Sequence, residues 1–225
     1  MSVQIAVVDY GMGNRRSVEK ALEHVGASAT VSSDRERLRE AAGLVVPGVG
    51  AFPRAMQRLG ELGLDELLRE RVQAGTPVLG ICLGMQLAFA SSTELGGAAG
   101  LGIVDGEVGA LQAGQLKLPH IGWNEVSFAE RGSPLLEGLP RRCAFYHVHS
   151  FAPVPSDAGD VLGTAEYGTP FVTAVQRGSF YGVQFHPEKS SGAGLRLLGN
   201  FVGICAAAAA SQDSSVGAMR PSAAA

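Results

Sequence analysis

The chain has 225 residues, of which 46% are hydrophobic and 17% are charged, and its formal net charge is −3. This length suffices for one large domain with a sizeable core, and the near-neutral charge excludes the basic surface of a nucleic-acid-binding or membrane-surface protein. An odd count of three cysteines, an N-terminus without a secretory leader, and no apolar run of spanning length predict a cytoplasmic protein with reduced thiols and no membrane span.

The first half of the chain alternates strand and helix patterns. Continuous apolar, β-branched runs predict buried strands, and apolar residues three and four apart predict helices. Asn14 stands where it can cap the first helix. Such alternation predicts a parallel sheet with helices on both faces. The predicted strands are residues 3–8, 27–31, 44–46 and 77–81, and the predicted helices are residues 15–25, 53–59, 64–73 and 85–90.

The pattern changes after residue 95, where strands joined by short turns predominate. The predicted strands are residues 104–111, 123–128, 144–151, 161–167, 171–177 and 180–185, followed by a helix over 193–204. The predicted fold class is therefore α/β: an open mixed sheet with a parallel core flanked by helices and an antiparallel extension, in one domain over residues 1–205. Residues 206–225 are rich in alanine and are predicted to form a disordered tail.

A candidate nucleophile turn follows the fourth predicted strand. Residues 80–84 read Gly-Ile-Cys-Leu-Gly, a glycine-flanked nucleophile between a predicted strand and a predicted helix. The glycines relieve crowding in such a tight turn, the helix N-terminus favours the thiolate of Cys82, and the backbone N–H of Leu83 points at a developing oxyanion. This context favours a catalytic Cys82 over a buried structural cysteine, which is our interpretation of Cys143 and Cys205.

His186 and Glu188 are the candidate base and its orienting carboxylate. His186 follows an apolar strand, and Pro187 restrains it to extended backbone. The spacing of two residues lets Glu188 face the same way as His186, and a carboxylate there fixes the tautomer of the imidazole. His-Pro-Glu alone is equally compatible with a solvated turn. Together with the cysteine turn, it predicts a Cys-His-Glu triad.

Metal binding is the competing use of cysteine and histidine. The chain contains no Cys-x-x-Cys, whereas structural zinc sites commonly use this spacing. His147 and His149 alternate on one predicted strand and supply two ligands at most. No metal and no cofactor are therefore expected.

These motifs resemble those of the class I, triad-type glutamine amidotransferases. The class-level signals are the cysteine turn with the following Met-Gln, and the His-Pro-Glu sequence. Further segments resemble the glutaminase subunits of imidazole glycerol phosphate synthases, and the similarity runs from about residue 3 to residue 204. These segments are Asp-Tyr-Gly-Met-Gly-Asn at 9–14, Pro-Gly-Val-Gly-Ala-Phe at 47–52, Leu-Pro-His-Ile-Gly-Trp-Asn at 118–124 and His-Pro-Glu-Lys-Ser at 186–190.

The resemblance implies an activity. Glutamine is hydrolysed to glutamate, and ammonia passes to the TIM-barrel cyclase subunit of a heterodimer, which forms imidazole glycerol phosphate and aminoimidazole carboxamide ribotide in histidine biosynthesis. Cys82 would attack the side-chain amide carbon, His186 would transfer the proton, and Glu188 would orient His186. The resemblance further implies a nearly inactive free subunit, because a peptide of the oxyanion segment flips in response to the partner.

The resemblance also assigns roles outside the triad. The implied oxyanion residues are Val49, Gly50 and Leu83. The implied glutamine-binding residues are Gln86, Glu94 and Ser150, with Glu94 placed to pair with the α-ammonium group. The implied partner-interface residues are Asn14, Trp123, Asn124 and Tyr146. Two residues depart from the family pattern, which has an apolar residue and a tyrosine at the positions of Arg15 and Phe151.

Plainer interpretations of these residues stay open. Gln86 could be a helix-surface amide, Glu94 a solvated acid, Ser150 an ordinary strand hydroxyl and Trp123 a core residue. At the level of function, the alternatives are the glutaminase partner of another synthase, such as that making pyridoxal phosphate, a non-catalytic interaction module, and a stand-alone amidase or peptidase. The intact triad and the subunit-type segments favour the synthase subunit.

Overall fold

The structure is a computed structural model that describes residues 2–218, with side chains described for residues 2–211. The strands are β1 Gln4–Val8, β2 Ser28–Ser32, β3 Gly43–Gly48, β4 Val78–Cys82, β5 Phe89–Ser92, β6 Ala98–Ala99, β7 Val104–Ala110, β8 His120–Phe128, β9 Arg142–His149, β10 Phe151–Pro155, β11 Val161–Tyr167, β12 Thr169–Arg177 and β13 Phe180–Val183. The helices are α1 Arg15–His24, α2 Arg35–Glu40, α3 Phe52–Glu61, α4 Leu64–Gln73, α5 Leu83–Gln86 and α6 Ser191–Ala218.

The main sheet within residues 2–218 has nine strands in the order β2-β1-β3-β4-β13-β12-β11-β8-β9. The first five strands run parallel to one another, whereas the pairs from β13 to β9 are antiparallel. Parallel neighbours need a crossover connection, which the helices of the first half supply, and antiparallel neighbours need only short turns. The predicted fold class is confirmed.

A second, four-stranded sheet in the order β10-β7-β5-β6 was not predicted. Its pairings explain two wrong boundaries. The predicted strand over 144–151 divides at Ser150, because β9 stays in the main sheet while β10 pairs with β7. The helix predicted over 85–90 ends at Gln86, because Phe89 pairs in register with Val104 in the second sheet. Non-local strand pairing therefore overrides local helical periodicity here.

Two cores form on opposite faces of the main sheet. Along β1, Ile5 and Val7 enter one core, and Ala6 and Val8 enter the other. Strands covered on both faces need such continuous apolar sequences, as predicted. The first core is closed by buried residues of α1 and α6, including Leu22, Leu198 and Phe201. The second core is closed by buried residues of α3, α4 and α5, including Leu59, Leu68 and Met85.

Helix α2 was missed, although the sequence contains its start signal. The side chain of Asp34 accepts hydrogen bonds from the backbone N–H groups of Glu36 and Arg37, which is the usual function of an aspartate at an N-cap. The six-residue helix that follows is highly charged and buries Leu38. A single buried residue is too short a pattern for periodicity to detect, so the cap was the only usable signal.

Helix α6 is longer than predicted. It is described through Ala218 rather than ending at residue 204, and residues 219–225 of the predicted tail lie outside the described residues. The boundary between a domain and a tail at residue 205 stays a prediction. Over Ser191–Ser211 the helix is long and apolar enough to cross a membrane, with a mean hydropathy of 1.5. This is weak evidence for a span, since its residues Leu197, Leu198, Phe201 and Cys205 are buried in the core.

Candidate active site

Cys82 occupies a strained turn at the end of β4. Its backbone angles are φ 54° and ψ −112°, in a region that side-chain-bearing residues rarely adopt and that costs on the order of 1–3 kcal/mol. A Cβ on Gly84 would overlap the carbonyl oxygen of Val46, and one on Gly80 would lie 2.6 Å from the carbonyl oxygen of Gly84. The glycine on each side is therefore required by close backbone approach, as the sequence pattern predicted.

A cavity of about 320 Å³ opens beside this turn. Its lining includes Cys82 and His186, whereas Glu188 lies behind His186 and does not reach the cavity. All six residues assigned to the oxyanion and glutamine sites also line it. Residues that sequence reasoning did not assign complete the wall. The full lining is Val49, Gly50, Cys82, Leu83, Gln86, Glu94, Val148, His149, Ser150, Phe151, His186 and Lys189.

His186 is oriented by Glu188. The Nδ1–H of His186 donates to Oε1 of Glu188 at 2.9 Å, and the two side chains are 3% and 0% exposed. This bond assigns the proton to Nδ1 of the neutral ring and leaves Nε2 as the reactive nitrogen. Nε2 makes no hydrogen bond to any described residue, and it is free to exchange a proton with the neighbouring Cys82.

The charge state of His186 follows from the same neighbours. Burial lowers the pKa of His186, but the hydrogen bond to Glu188 and the negative charges at Cys82 and Glu188 outweigh burial and raise it to about 9. The raised pKa favours the imidazolium form of His186. The pKa of His186 in the folded state lies above its unfolded value. The interaction of His186 with Cys82 and Glu188 therefore stabilises the fold fully below about pH 6.5, and this stabilisation is lost as the pH rises through 9.

Asn14 contacts the triad from the N-terminal segment. Its Nδ2–H donates to Oε1 of Glu188 at 3.2 Å. The residue does occupy the N-cap position of α1, but its side chain makes no capping bond, so the predicted side-chain cap was wrong. A cap would need Oδ1 of Asn14 to accept a backbone N–H, but the side chain is oriented so that Nδ2 donates to the Glu188 carboxylate, and hydrogen bonds to charged acceptors are the stronger ones.

Gln184 is a site residue that the sequence analysis missed. Its Nε2–H donates to Sγ of Cys82 at 3.6 Å, and the side chain is completely buried. The sulfur also lies 3.7 Å from the carbonyl oxygen of Val148. A signal did exist, because Gln184 is a polar residue within the apolar run that leads to His186, and buried polar groups require partners.

The oxyanion segment follows β3 along the same edge of the sheet. A Cβ on Gly48 would overlap the hydroxyl of Tyr10, and that hydroxyl donates to the carbonyl of Pro47 at 2.8 Å. Burial raises the pKa of the Tyr10 phenol, and the neighbouring Cys82 raises it further. Gly50 has φ +114°, a conformation open to glycine. Tyr10 thus anchors the start of the segment, while Val49 is exposed.

Comparison with known proteins decides the family. The sequence profile described as glutamine amidotransferase class-I matches residues 6–204. The chain belongs to the class I glutamine amidotransferase family. Among solved structures, a glutamine amidotransferase superposes with a TM-score of 0.68 at 22% identity, covering 89% of this chain and 98% of that one. PurLQS from Thermotoga maritima superposes with a TM-score of 0.70 at 18% identity, covering 91% and 99%. At these identities the likeness shows the fold alone.

Curated relatives are much closer in sequence. The imidazole glycerol phosphate synthase subunit HisH of Moorella thermoacetica is 50% identical over 197 residues, covering 88% of this chain and 93% of the relative. The protein of the same name from Geobacillus kaustophilus is 47% identical over 205 residues, covering 89% and 96%. This class I glutamine amidotransferase is therefore similar to these relatives over nearly their whole length.

The three residues assigned to glutamine binding lie around the cavity of this class I amidotransferase. Gln86 donates through Nε2 to the carbonyl of Phe151 at 3.0 Å and is 5% exposed, which excludes a helix-surface amide. Glu94 accepts the backbone N–H of Phe52 through Oε2 at 2.8 Å. Its other carboxylate oxygen is not engaged by that bond and can meet a cation. Ser150 lies in the break between β9 and β10.

An apolar patch flanks the cavity of the amidotransferase. Register partners on antiparallel strands share a face, and β8 pairs with β9 in this way. Trp123 is 55% exposed and Ile121 is 59% exposed, so Trp123 is not a core residue. Tyr146 and Val148 are half-buried, and Val148 reaches the cavity wall. The patch consists of Ile121, Trp123, Tyr146 and Val148.

The two departures from the family pattern are accounted for locally. Arg15 forms an ion pair with Asp9 at the start of α1. Phe151 lines the cavity, and its carbonyl oxygen accepts hydrogen bonds from His149 and Gln86. Within residues 2–211, neither Arg15 nor Phe151 forms a hydrogen bond or an ion pair with the triad. Within the part of the chain that the structure describes, no group of three or more His, Cys, Asp or Glu side chains is arranged to hold a metal ion.

Proposed function

We propose that this amidotransferase is the glutaminase subunit of an imidazole glycerol phosphate synthase. It hydrolyses glutamine to glutamate and ammonia, and it passes the ammonia to a TIM-barrel cyclase subunit. The cyclase then makes imidazole glycerol phosphate and aminoimidazole carboxamide ribotide in the histidine pathway of the cytoplasm. Curated relatives of this name at 50% and 47% identity support the assignment, as does the family match over residues 6–204.

The observation that carries the chemistry is the hydrogen bond of 2.9 Å from Nδ1 of His186 to Glu188. This bond turns Nε2 away from the carboxylate, and Cys82 lies beside the ring. The thiolate of Cys82 attacks the amide carbon of glutamine. The imidazolium of His186 gives its Nε2 proton to the leaving ammonia, and a glutamyl thioester remains. His186 then takes a proton from water, the hydroxide attacks the thioester, and glutamate leaves as the thiolate re-forms.

The charge that develops on the amide oxygen needs donors. The backbone N–H of Leu83 and the segment of Val49 and Gly50 line the cavity at this position. One such donor is worth about 2.7–4 kcal/mol of transition-state stabilisation. A peptide flip at Gly50, whose φ of +114° already lies in the glycine region, therefore suffices to switch the enzyme between inactive and active states when the partner docks.

Gln86, Glu94 and Ser150 complete the glutamine site in this proposal. Glu94 pairs with the α-ammonium group, while Gln86 and Ser150 bound the end of the pocket nearest β10. The apolar patch is the docking surface for the cyclase subunit, since an exposed tryptophan beside a half-buried tyrosine is typical of interface anchors. Asn14 and Asn124 lie beside the docking surface or the route for ammonia.

The test is glutamate release by the purified protein, alone and with a cyclase subunit and its nucleotide ligand. Strong stimulation by the partner is expected, and the Cys82→Ala variant is expected to lose at least about 10³-fold in rate. Equal activity with and without the partner would instead indicate a stand-alone amidase. Inactivity under every condition would indicate a non-catalytic binding module.

A further inference from the structure

A chain of buried hydrogen bonds joins strand β8 to the cavity, outside the triad. Asn124 donates through Nδ2 to Nε2 of His120 at 3.4 Å. Nδ1 of His120 lies 2.9 Å from Nε2 of His149. Nδ1 of His149 lies 2.9 Å from the carbonyl oxygen of Phe151. Two histidines therefore link a strand of the apolar patch to a residue of the cavity wall.

The direction of every bond in this chain is determined. The carbonyl of Phe151 can only accept, so Nδ1 of His149 carries the proton and its Nε2 is an acceptor. His120 must then donate through Nδ1, which leaves its Nε2 to accept from Asn124. The amide nitrogen of Asn124 is identified independently, because it also donates to the carbonyl of Glu166 at 2.9 Å. Only one tautomer of each histidine satisfies all of these contacts.

A second branch runs from the same carbonyl to the nucleophile. Gln86 donates through Nε2 to the carbonyl of Phe151 at 3.0 Å and to Oε1 of Gln184 at 2.9 Å. This orientation leaves the Nε2 of Gln184 to donate to Sγ of Cys82 at 3.6 Å. The two branches together form one continuous polar relay. Its members are Asn124, His120, His149, the Phe151 carbonyl, Gln86, Gln184 and Cys82.

The side chains of the relay are buried, so each of its polar groups needs a hydrogen-bond partner within the relay. The exposed fractions of the four linking side chains are at most 5%: His120 3%, His149 5%, Gln86 5% and Gln184 0%. Burial of a polar group without a partner costs several times more than a hydrogen bond contributes. Removal of one member therefore leaves its neighbours unpaired, and they reorient to find other partners.

We propose that Gln184, His149 and His120 are positioning residues for the glutaminase reaction, and that the relay orients the sulfur of Cys82 and couples it to strand β8. The inference rests on the proposed function for its reaction and on the geometry for its effect on the thiol. Burial lowers the pKa of His149 to about 4, so the ring stays neutral at physiological pH and keeps its Nδ1–H bond to the Phe151 carbonyl, where the two branches converge.

The experiment compares His149→Phe with a matched control, His147→Phe. His147 is equally buried and lies 5.6 Å from His149 between ring centroids. Its bonds go to the Phe145 carbonyl and to Thr173, outside the relay. The conservative variant His149→Asn retains a donor near the position of Nδ1, and Gln184→Met removes the donor to the sulfur with little change of volume. Thermal unfolding establishes that each variant is folded.

Two readouts are measured for each folded variant: kcat and KM for glutamine with the cyclase subunit, and the alkylation rate of Cys82 by iodoacetamide in the free subunit, followed on the Cys82 peptide by mass spectrometry. Gln184→Met is expected to lower kcat and alkylation by roughly tenfold, the value of one hydrogen bond to a charged group. His149→Phe is expected to lower both by roughly threefold to fivefold, because its bonds go to neutral groups. KM is expected to change less than kcat in both variants. His149→Asn is expected to regain most of the loss, and His147→Phe to stay near wild type.

The proposal is overturned if His149→Phe and Gln184→Met match His147→Phe in kcat, KM and alkylation. If His149→Phe does not fold, His120→Phe replaces it as the test of the histidine branch, and Gln184→Met still tests the donor to the sulfur. Alkylation requires neither glutamine nor the partner. Failure of the wild-type protein to hydrolyse glutamine would therefore overturn the proposed function, while the alkylation rates would still decide the role of the relay.

Discussion

At the scale of the residue, Glu188 is the point where two distant parts of the chain meet. Its Oε1 accepts from both His186 and Asn14, although Asn14 stands 174 residues earlier. A carboxylate that accepts two bonds is held more firmly than one that accepts a single bond, because both donors restrict its rotation. We therefore treat Asn14 as a positioning residue for Glu188 as well as a neighbour of the docking surface.

Replacement of Asn14 by alanine is expected to lower kcat by roughly tenfold at saturating partner, equivalent to about 1.4 kcal/mol for a bond to a charged acceptor. KM for glutamine is expected to stay nearly constant, because Asn14 does not line the cavity. Asn200→Ala is the control, since that amide bonds to the carbonyls of Leu135 and Glu137. Weaker partner binding with normal kcat would assign Asn14 to the interface alone.

At the scale of the element, the β8–β9 hairpin presents two different faces. The outward face carries the apolar patch, and the inward face carries buried histidines. Burial lowers the pKa of His147 to about 3, with a further lowering from the charge of His149, and burial lowers the pKa of His149 to about 4. Both rings are neutral in the folded protein at a pH where the unfolded chain would protonate them.

The sign of the resulting pH dependence is definite. Between about pH 6.5 and pH 4 the unfolded state binds more protons, so the free energy of unfolding falls on acidification by about 1.4 kcal/mol per pH unit for each of the two histidines. Urea unfolding measured across this range is expected to show a shallower dependence for His147→Phe, while replacement of the exposed His24 by alanine leaves it unchanged. Identical dependence of the unfolding free energy on pH in the wild type, His147→Phe and His24→Ala would contradict this prediction.

At the scale of the whole molecule, the site forms where three parallel strands end together. β3, β4 and β13 are neighbours in the sheet, and their carboxyl ends lead to the oxyanion segment, to Cys82 and to His186. Ligand sites of open α/β sheets lie at this edge. The antiparallel extension then places the apolar patch beside the same cavity through Val148. The fold thus joins the edge that carries the cavity to the apolar patch, which is the proposed docking surface.

The Trp123→Ala variant tests that arrangement. It is expected to weaken binding of the cyclase subunit by about 30-fold, the effect of a loss of about 2 kcal/mol at an interface anchor. Thermal stability is expected to change little, because Trp123 is half-exposed in the free subunit. Val154→Ala is the control, since Val154 is 61% exposed on β10 and outside the apolar patch. Equal losses of affinity in both variants, measured by titration calorimetry, would place the docking surface elsewhere.

The sequence by itself determined the fold class and most strands, and it predicted the triad of Cys82, His186 and Glu188. Apolar runs predict strands buried on both faces, and a nucleophile between glycines at a strand–helix junction predicts a tight turn, because both signals depend on residues near one another in the chain. Predicted boundaries of helices and strands were wrong where pairing between strands distant in sequence set them. Phe89 left a helical pattern to pair with β7, and Ser150 became a break because β10 belongs to another sheet.

Only the tertiary structure decided which polar groups serve the nucleophile. Gln184 donates to Cys82 across 102 residues of sequence, and Gln86 meets Gln184 across 98. No local pattern records such contacts, since they arise from the order of strands in the sheet. The tautomer of His149 follows from the nearby carbonyl of Phe151, whereas that of His120 follows from His149, 29 residues away on strand β9. Local chemistry therefore specified the triad, whereas the surroundings that orient it required the folded chain, because buried polar groups choose partners by proximity in space.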